Sequence, residues 1–172
     1  MLYLITGGAG SGKSAWAEEL VCRLPGQRIY LATMRPWDGE CRARIARYRA
    51  QRAGRDFITL ERYTDLAGVT PQVPEGANVL LECMGNLVAN ELYSPEGGGE
   101  GAVLAGVEAL ERRCAHLTVV TNQVFSGGAD YSGETLDYLR ALARIDRALA
   151  ARAGCVVEVV CGLPNVWKGA CP

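Results

Sequence analysis

The sequence predicts an α/β fold with a mostly parallel sheet, helices on both faces of that sheet, and a C-terminal edge strand. Two observations lead to this prediction. Short runs of Val, Ile and Leu alternate along the chain with stretches whose apolar residues have helical spacing. The first of these runs also leads directly into the glycine-rich segment 7–14, GGAGSGKS, which a helical pattern follows. In such sheets, ligands bind beyond the carboxyl ends of the strands.

Each predicted strand is a short apolar run bounded by polar or turn-forming residues. In chain order the predicted strands are Leu2–Thr6, Arg28–Thr33, Phe57–Leu60, Asn78–Leu81, Leu117–Thr121 and Cys155–Cys161, with Leu163–Lys168 as the edge strand. Glu61 and Glu82 directly follow two of these strands. Their side chains are therefore expected at the edge of the sheet where ligands bind.

Helices are predicted where apolar residues recur every three or four positions. These segments are Ser14–Leu24, Leu87–Leu92, Val103–Cys114 and Thr135–Ala153. Residues 35–55 have too few apolar positions for a fully packed helix, although Ile45 and Tyr48 can share one face. The composition of Ser94–Gly99 predicts a mobile loop, and residues 122–131 are expected to be irregular.

Length and composition indicate a single domain over residues 1–172. A net charge of −1 argues against nucleic acid or an anionic membrane as a partner. No apolar run approaches the roughly 20 residues of a membrane-spanning helix, and no signal peptide is recognisable. The seven cysteines form no C-x-x-C pair, which predicts reduced core residues in a cytoplasmic protein, with neither a disulfide nor a zinc site.

The segment GGAGSGKS fits the phosphate-binding pattern G-x-x-x-x-G-K-[ST], so the predicted fold is a P-loop nucleotide-binding fold. Its glycines allow backbone N–H groups to converge on phosphate oxygens at the start of a helix. Lys13 is then expected to reach the β- and γ-phosphates, and Ser14 to offer its hydroxyl to Mg²⁺. The alternative is an ordinary glycine turn with a surface lysine.

Further candidates follow the strands at the same edge. Glu82 is predicted as a ligand of Mg²⁺ or of a metal-bound water, with a surface strand cap as the alternative. Thr33 and Glu61 are candidates for nucleotide contact from their position alone. Asn122 and Gln123 are candidates for substrate or phosphate contact, although amides at such positions are also common in turns.

The segment 35–55 contains seven arginines, opposed only by Asp38 and Glu40. Arg44, Tyr48 and Arg52 are four residues apart, so a helix would place them on one face. Arg44 and Arg52 are predicted as phosphate clamps because guanidinium groups suit phosphate oxygens. A solvated basic surface is the alternative, and nucleic acid is a weaker explanation.

His116, the single histidine, comes just before the fifth strand and therefore belongs to the opposite, amino edge of the sheet. A structural role is expected for it rather than a catalytic one.

Taken together, the motifs resemble those of one known family. They are ITGGAGSGKSAWAE at the start, YLAT at 30–33, RIARYRAQR at 44–52, TLE at 59–61, LLECMGNLVAN at 80–90, VVTNQVFSG at 119–127 and the closing LAARAGCVVEVVCGLPNVWKG. In this order they resemble the bifunctional adenosylcobinamide kinase / adenosylcobinamide-phosphate guanylyltransferase family of cobalamin biosynthesis. The resemblance covers nearly the whole chain.

The resemblance implies two reactions and a homotrimer. A nucleoside triphosphate, GTP or ATP, phosphorylates adenosylcobinamide, and GTP then transfers GMP to that phosphate. The residues implied in nucleotide contact are Gly7, Gly8, Ala9, Gly10, Ser11, Gly12, Lys13, Ser14, Ala32, Thr33, Met34, Arg49, Ala50, Gln51, Arg52, Glu61 and Glu82.

Two positions depart from the family pattern. Tyr48 replaces the histidine that carries GMP in the family, and Gln123 replaces a typical glutamate. An ordinary phenol is about one part in a thousand ionised at pH 7, a deficit of roughly 4 kcal/mol relative to a neutral imidazole. We therefore expect an intact kinase half and a guanylyl-transfer half that is weakened, lost or moved onto Tyr48.

Other interpretations remain open from the sequence. The general base of the kinase step has no strong candidate, and Asp38 is the residue suggested for it. Another small-molecule P-loop kinase is the nearest alternative function. A nucleotide-binding regulatory protein that has lost the chemistry belongs to a second class.

Overall fold

The computed structural model describes residues 1–125 and 131–172. Its strands are β1 (Leu2–Thr6), β2 (Arg28–Ala32), β3 (Phe57–Glu61), β4 (Asn78–Glu82), β5 (His116–Val120), β6 (Cys155–Val160) and β7 (Leu163–Lys168). Its α-helices are α1 (Lys13–Arg23), α2 (Gly39–Gln51), α3 (Met84–Tyr93), α4 (Gly99–Arg113) and α5 (Gly133–Arg152). A 3₁₀ helix covers Leu66–Gln72 within the predicted polar connection.

The strands form one sheet in the order β3-β2-β4-β5-β1-β6-β7. Six strands run parallel, and β7 pairs antiparallel with β6 at the edge. The strand β1 lies between β5 and β6, and its side chains are largely buried because the sheet is covered on both faces. The predicted α/β fold with a C-terminal edge strand is confirmed.

Two apolar layers fill the space between the sheet and its helices. On one face α1 contributes Leu20 and Val21, which pack with Ile5 and Leu80. On the other face the helices α3, α4 and α5 cover the sheet, with Leu87, Val107 and Leu142 in one cluster with Leu81 and Leu117. Fully burying each such side chain contributes about 1.5–3 kcal/mol, so the two layers fix the sheet and the positions of its carboxyl ends.

The segment rich in arginine differs from its sequence-based expectation. It forms a regular helix, α2, although none of residues 39–50 is buried. Asp38 caps this helix by accepting a hydrogen bond from the Cys41 N–H at 2.7 Å. Arginine and alanine have high helix propensity, so local preference and the cap support a helix that the sparse apolar pattern did not predict.

The segment Ser94–Gly99, predicted to be mobile, makes two contacts in the structure: the Gly98 N–H donates to Glu91 Oε2 at 2.7 Å, and Glu96 pairs with Arg35. Of the irregular segment predicted over 122–131, residues 126–130 lie outside the described part of the chain.

The prediction for the cysteines was wrong in two respects. Cys155 and Cys171 form a disulfide, with their Cα atoms 6.0 Å apart. Because β7 runs antiparallel to β6, the residues after β7 lie beside the start of β6, where Cys155 is located. The spacing of the cysteines in the sequence does not reveal this pairing of strands. Of the free cysteines, Cys83 and Cys114 are buried, whereas Cys161 is exposed.

Within residues 1–125 and 131–172, no helix combines the length and the apolar character that crossing a membrane requires.

Candidate functional site

The phosphate-binding motif forms the connection between β1 and α1. Gly12 adopts φ +89°, and a Cβ atom there would lie 3.2 Å from the Cα atom of Gly162. A Cβ atom on Gly7 would lie 2.6 Å from the carbonyl oxygen of Val159. Both positions therefore require glycine. No side chain caps the start of α1, so its first N–H groups are available to an anion.

Lys13, the first residue of α1, is only 7% exposed. Its ammonium group donates a hydrogen bond to the Gly8 carbonyl oxygen at 3.2 Å. The lysine therefore folds back over the loop and directs its charge to the place where the backbone N–H groups converge. An arrangement of one ammonium group and converging backbone dipoles is suited to a phosphate group.

Ser14 and Glu82 face each other across the site. The Ser14 hydroxyl donates to Glu82 Oε1 at 2.8 Å, whereas the buried Glu82 Oε2 has no hydrogen-bond partner. Burial raises the pKa of Glu82 to about 7, although the Ser14 hydrogen bond and the charge of Lys13 favour its ionised form. An unpaired carboxylate oxygen beside a hydroxyl fits a hard divalent cation such as Mg²⁺.

Metal binding at this place would also need oxygen atoms from outside the protein. Within the described ranges, no three His, Cys, Asp or Glu side chains are grouped to hold a metal ion. Mg²⁺ commonly uses one or two protein oxygens together with substrate phosphates and water. The pair formed by Ser14 and Glu82 therefore fits an ion that arrives with a nucleotide.

A cleft of about 330 Å³ opens over the carboxyl ends of the strands and contains most of the predicted site residues. Those that line it are Ala9, Gly10, Lys13, Ser14, Ala32, Met34, Arg44, Tyr48, Arg49, Arg52, Glu61 and Glu82. Among the described residues, those predicted but not lining it are Gly7, Gly8, Ser11, Gly12, Thr33, Asp38 and Ala50. Gln51 ends α2.

The charge of the cleft favours an anionic ligand. Lys13 and four arginines of the α2 region line it, against the two carboxylates of Glu61 and Glu82. Five cations and two carboxylates leave an excess of three positive charges. The arginines of this segment therefore belong in part to the cleft, rather than only to a solvated surface.

Residues of α2 line the same cleft as residues of the phosphate-binding loop. The guanidinium group of Arg47 lies 5.5 Å from the ring centre of Tyr48, and Arg49 pairs with Glu61. The helix thus contributes a phenol and several guanidinium groups to this cleft.

Thr33 has a structural position. It is fully buried, its hydroxyl donates to the Cys83 carbonyl oxygen at 2.8 Å, and it accepts from the Cys83 N–H at 2.9 Å. These bonds join the end of β2 to the residue after β4, so Thr33 supports the edge on which Glu82 lies.

Asp38 also lies apart from the cleft. Its hydrogen bonds at the start of α2, above all with the Cys41 N–H, lower the pKa of its carboxyl group. A fully exposed carboxylate with a lowered pKa is a poor proton acceptor, so the structure gives no support to Asp38 as the general base.

His116 begins β5, at the amino edge of the sheet as predicted. Its Nδ1 atom lies 3.2 Å from the hydroxyl of Tyr3, and the two rings stack. Burial and the nearby N-terminal ammonium group lower the pKa of this histidine. Its contacts are those of a structural residue.

Sequence reasoning missed several lining residues, namely Tyr30, Arg47, Thr59, Cys83, Asn86 and Val124. Tyr30 lies two residues before Ala32, so the alternation of a strand could have placed both on the same face. Asn122, a candidate from its position, does line the cleft and donates to the Cys83 Sγ at 3.9 Å. The backbone N–H of Gln123 donates to the Gly7 carbonyl oxygen at 3.0 Å.

Comparison with known proteins shows relatives along nearly the whole chain. The family model described as cobinamide kinase / cobinamide phosphate guanyltransferase matches residues 3–166. The bifunctional adenosylcobalamin biosynthesis protein CobU of Escherichia coli K12 is 33% identical, covering 95% of this chain and 97% of its own length. CobP of Pseudomonas aeruginosa, also named a bifunctional adenosylcobalamin biosynthesis protein, is 32% identical and covers 98% of each chain.

Among solved structures, an ATPase from the type III secretion system of pathogenic bacteria has a similar fold. Its TM-score is 0.51 at 10% sequence identity, covering 96% of this chain and 56% of that chain. This likeness concerns the fold alone. The family match and the sequence identities extend from the phosphate-binding loop to β7, and the chain belongs to the cobinamide kinase / cobinamide phosphate guanyltransferase family.

Proposed function

We propose that this single domain, residues 1–172, phosphorylates adenosylcobinamide with a nucleoside triphosphate in cobalamin biosynthesis. The observation that carries the proposal is the cationic cleft in which Lys13 and the Ser14–Glu82 pair meet, in a chain of this family. Phosphoryl transfer depends on positioning and charge neutralisation more than on covalent help from the protein. The cleft provides both.

The proposed roles follow from these positions. Lys13 and the N–H groups at the start of α1 hold the β- and γ-phosphates, while Arg44 and Arg52 clamp the anion from the α2 side. Ser14 and Glu82 hold Mg²⁺, which when bound neutralises charge that develops on the phosphates. GTP and ATP are both possible donors. Asp38 is left out of this scheme because it caps α2.

One assay tests the kinase proposal. Purified protein is incubated with adenosylcobinamide, Mg²⁺ and either GTP or ATP, and the phosphorylated and GDP-linked products are resolved. Formation of adenosylcobinamide phosphate is the expected result. Phosphorylation of a different acceptor only would instead indicate another small-molecule kinase. Tight GTP binding without any turnover would indicate a regulatory protein.

We infer that guanylyl transfer, if retained, passes through Tyr48 or occurs at a much reduced rate. Tyr48 lines the cleft. By the resemblance of the segment RIARYRAQR, it occupies the position at which the family carries GMP on a histidine. In the covalent route the phenol oxygen loses its proton, forms a bond to the α-phosphorus of GTP and displaces pyrophosphate. The GMP group would then pass from that oxygen to the phosphate of adenosylcobinamide phosphate.

Labelling with α-labelled GTP distinguishes the possible routes. An acid-stable adduct on Tyr48 would identify the tyrosine as carrier, because a phosphate ester of a phenol survives acid that cleaves a phosphoramidate. Absence of an adduct with retained phosphorylation would identify a kinase alone. An acid-labile adduct on His116 would contradict the placement of the site. Tyr48→His is expected to restore an acid-labile adduct if the surrounding cleft suits an imidazole.

The proposal includes a homo-oligomer, a trimer by resemblance to the family, in the cytoplasm. The edge strand β7 supports self-association because Leu163 and Trp167 are 72% and 67% exposed, with Val160 and Val166 about half exposed nearby. Light scattering on the purified protein is expected to give three times the mass of one chain. A monomer mass at micromolar concentration would contradict this part of the proposal.

A further inference from the structure

Arg52 is an unusually buried arginine in the wall of the cleft. Its side chain is 6% exposed, and its guanidinium carbon lies 3.3 Å from the ring centre of Tyr30. The Nη1 atom is buried and has no hydrogen-bond partner. Burial of a cation is costly unless another group compensates its charge.

The compensating charge comes from behind the cleft. Glu18 belongs to α1, is 4% exposed and is not among the residues that line the cleft. Its Oε1 atom lies 3.9 Å from Arg52 Nη1, and its Oε2 atom lies 3.3 Å from Arg55 Nη1. One buried carboxylate thus lies between two guanidinium groups that come from the end of α2 and the turn after it.

The geometry of the pair leaves Arg52 able to bind something else. At 3.9 Å the Glu18 carboxylate attracts Arg52 without forming a hydrogen bond. The ring of Tyr30 lies against the guanidinium plane, which limits the rotation of that group. The Nη1 atom lies on the Glu18 side, while Arg52 as a residue lines the cleft. A desolvated and oriented guanidinium group in the wall of a cleft is suited to an anionic oxygen.

We propose that Glu18 is a positioning residue for the nucleotide. It holds Arg52 against Tyr30, so that the guanidinium group meets a phosphate oxygen of the bound nucleotide without first being ordered. The same helix, α1, thereby sets two cations of the site, Lys13 directly and Arg52 through Glu18. This inference rests on the proposed function, because it assigns a role to a residue behind the same cleft.

A purely structural role for Glu18 would have a different signature. If Glu18 only neutralised buried arginines, its removal would lower the stability of the protein. Any effect of that removal on nucleotide affinity would then be the same in the parent protein and in a variant without Arg52. If it acts through Arg52, its effect on nucleotide affinity disappears once Arg52 has been replaced. A double-mutant cycle separates these cases.

The test measures the affinity for GTP with Mg²⁺ by calorimetry in the parent protein, Glu18→Gln, Arg52→Met and the double variant. Glu18→Gln is expected to weaken GTP binding about 10-fold in the parent, and less than about 2-fold in the Arg52→Met background. Glu19→Gln, an exposed neighbour on the same helix, is the matched control and is expected to leave the affinity unchanged.

Thermal unfolding of each variant accompanies the measurement. Should Glu18→Gln fail to fold, Glu18→Asp replaces it in both backgrounds, because aspartate keeps the charge but has a shorter reach. A loss of GTP affinity that occurs in the parent protein and not in the Arg52→Met variant supports the proposal. Equal losses in both backgrounds, or no loss in either, would overturn the role of Glu18 while the proposed function stands. Failure of the parent protein to bind either GTP or ATP would overturn both.

Discussion

At the scale of single residues, Lys13 is the group on which nucleotide binding depends most. Its ammonium group is buried against the phosphate-binding loop, where no other lysine lies, since Lys168 belongs to β7. Lys13→Ala is expected to weaken GTP binding about 10- to 100-fold, because a hydrogen-bonded charge is worth about 1.5–3 kcal/mol. Calorimetry measures this effect, with Lys168→Ala as the control. Unchanged affinity and turnover in Lys13→Ala would remove the basis of the proposed function.

Asp146 gives a second prediction at this scale. Burial raises the pKa of its carboxyl group to about 7, although the Thr121 hydroxyl donates to it at 3.0 Å. The pKa of Asp146 in the folded protein exceeds its value near 3.8 in the unfolded chain. At a pH between these two values, the Asp146 carboxyl group is therefore protonated in the folded protein and ionised in the unfolded chain. The contribution of Asp146 to the free energy of unfolding therefore falls as the pH rises from about 4 to about 7, and it stays constant above pH 7.

The variant Asp146→Asn keeps an oxygen that accepts from Thr121 and removes the titration. It is expected to be more stable than the parent at pH 8 by about 2 kcal/mol, with the difference shrinking towards pH 4. Urea unfolding across this pH range measures the difference. A difference that is constant with pH would show that Asp146 has an ordinary pKa.

At the scale of elements, α2 is held at its start by the cap from Asp38. Asp38→Ala is expected to lower the free energy of unfolding by about 1 kcal/mol, whereas Asp38→Asn keeps the cap and most of the stability. Chemical denaturation measures both. Because Asp38 lies outside the cleft, Asp38→Asn should also keep the turnover of the kinase reaction. A collapse of turnover in that variant would restore Asp38 as a catalytic base.

The strands were predictable from the sequence to within about one residue, since all except the edge strand β7 are short apolar runs between polar ends. The helix α2 was harder to predict, because its N-terminal cap and the helix propensity of its residues stabilise it, and it has no buried apolar face. In the site, the motif indicated Lys13 and Ser14 directly. The alternation of β2 could have indicated Tyr30, which lies two residues before Ala32. Glu18 becomes apparent only when α1 meets Arg52 in the folded chain, a contact that no local pattern encodes.

At the scale of the whole molecule, the disulfide ties the end of the chain to β6. It links residues 16 positions apart, and a loop of that length constrains the unfolded chain by about 3 kcal/mol. Cys171→Ser is therefore expected to lower stability by about 2–3 kcal/mol in the absence of reductant. Denaturant unfolding with and without dithiothreitol measures this, with the exposed Cys161→Ser as control. Equal stability of parent and Cys171→Ser without reductant would contradict it.

The position of β1 in the sheet has a consequence for biosynthesis. Leu2 pairs with Leu117 of β5, and Tyr3 pairs with Cys155 of β6. The strand that carries the phosphate-binding loop therefore acquires both neighbours only after β6 has been synthesised. A nascent chain whose β6 is still inside the ribosomal tunnel cannot close the sheet around β1. Arrested chains of that length are accordingly expected to remain sensitive to protease even with GTP present, whereas chains that expose β6 and β7 become resistant.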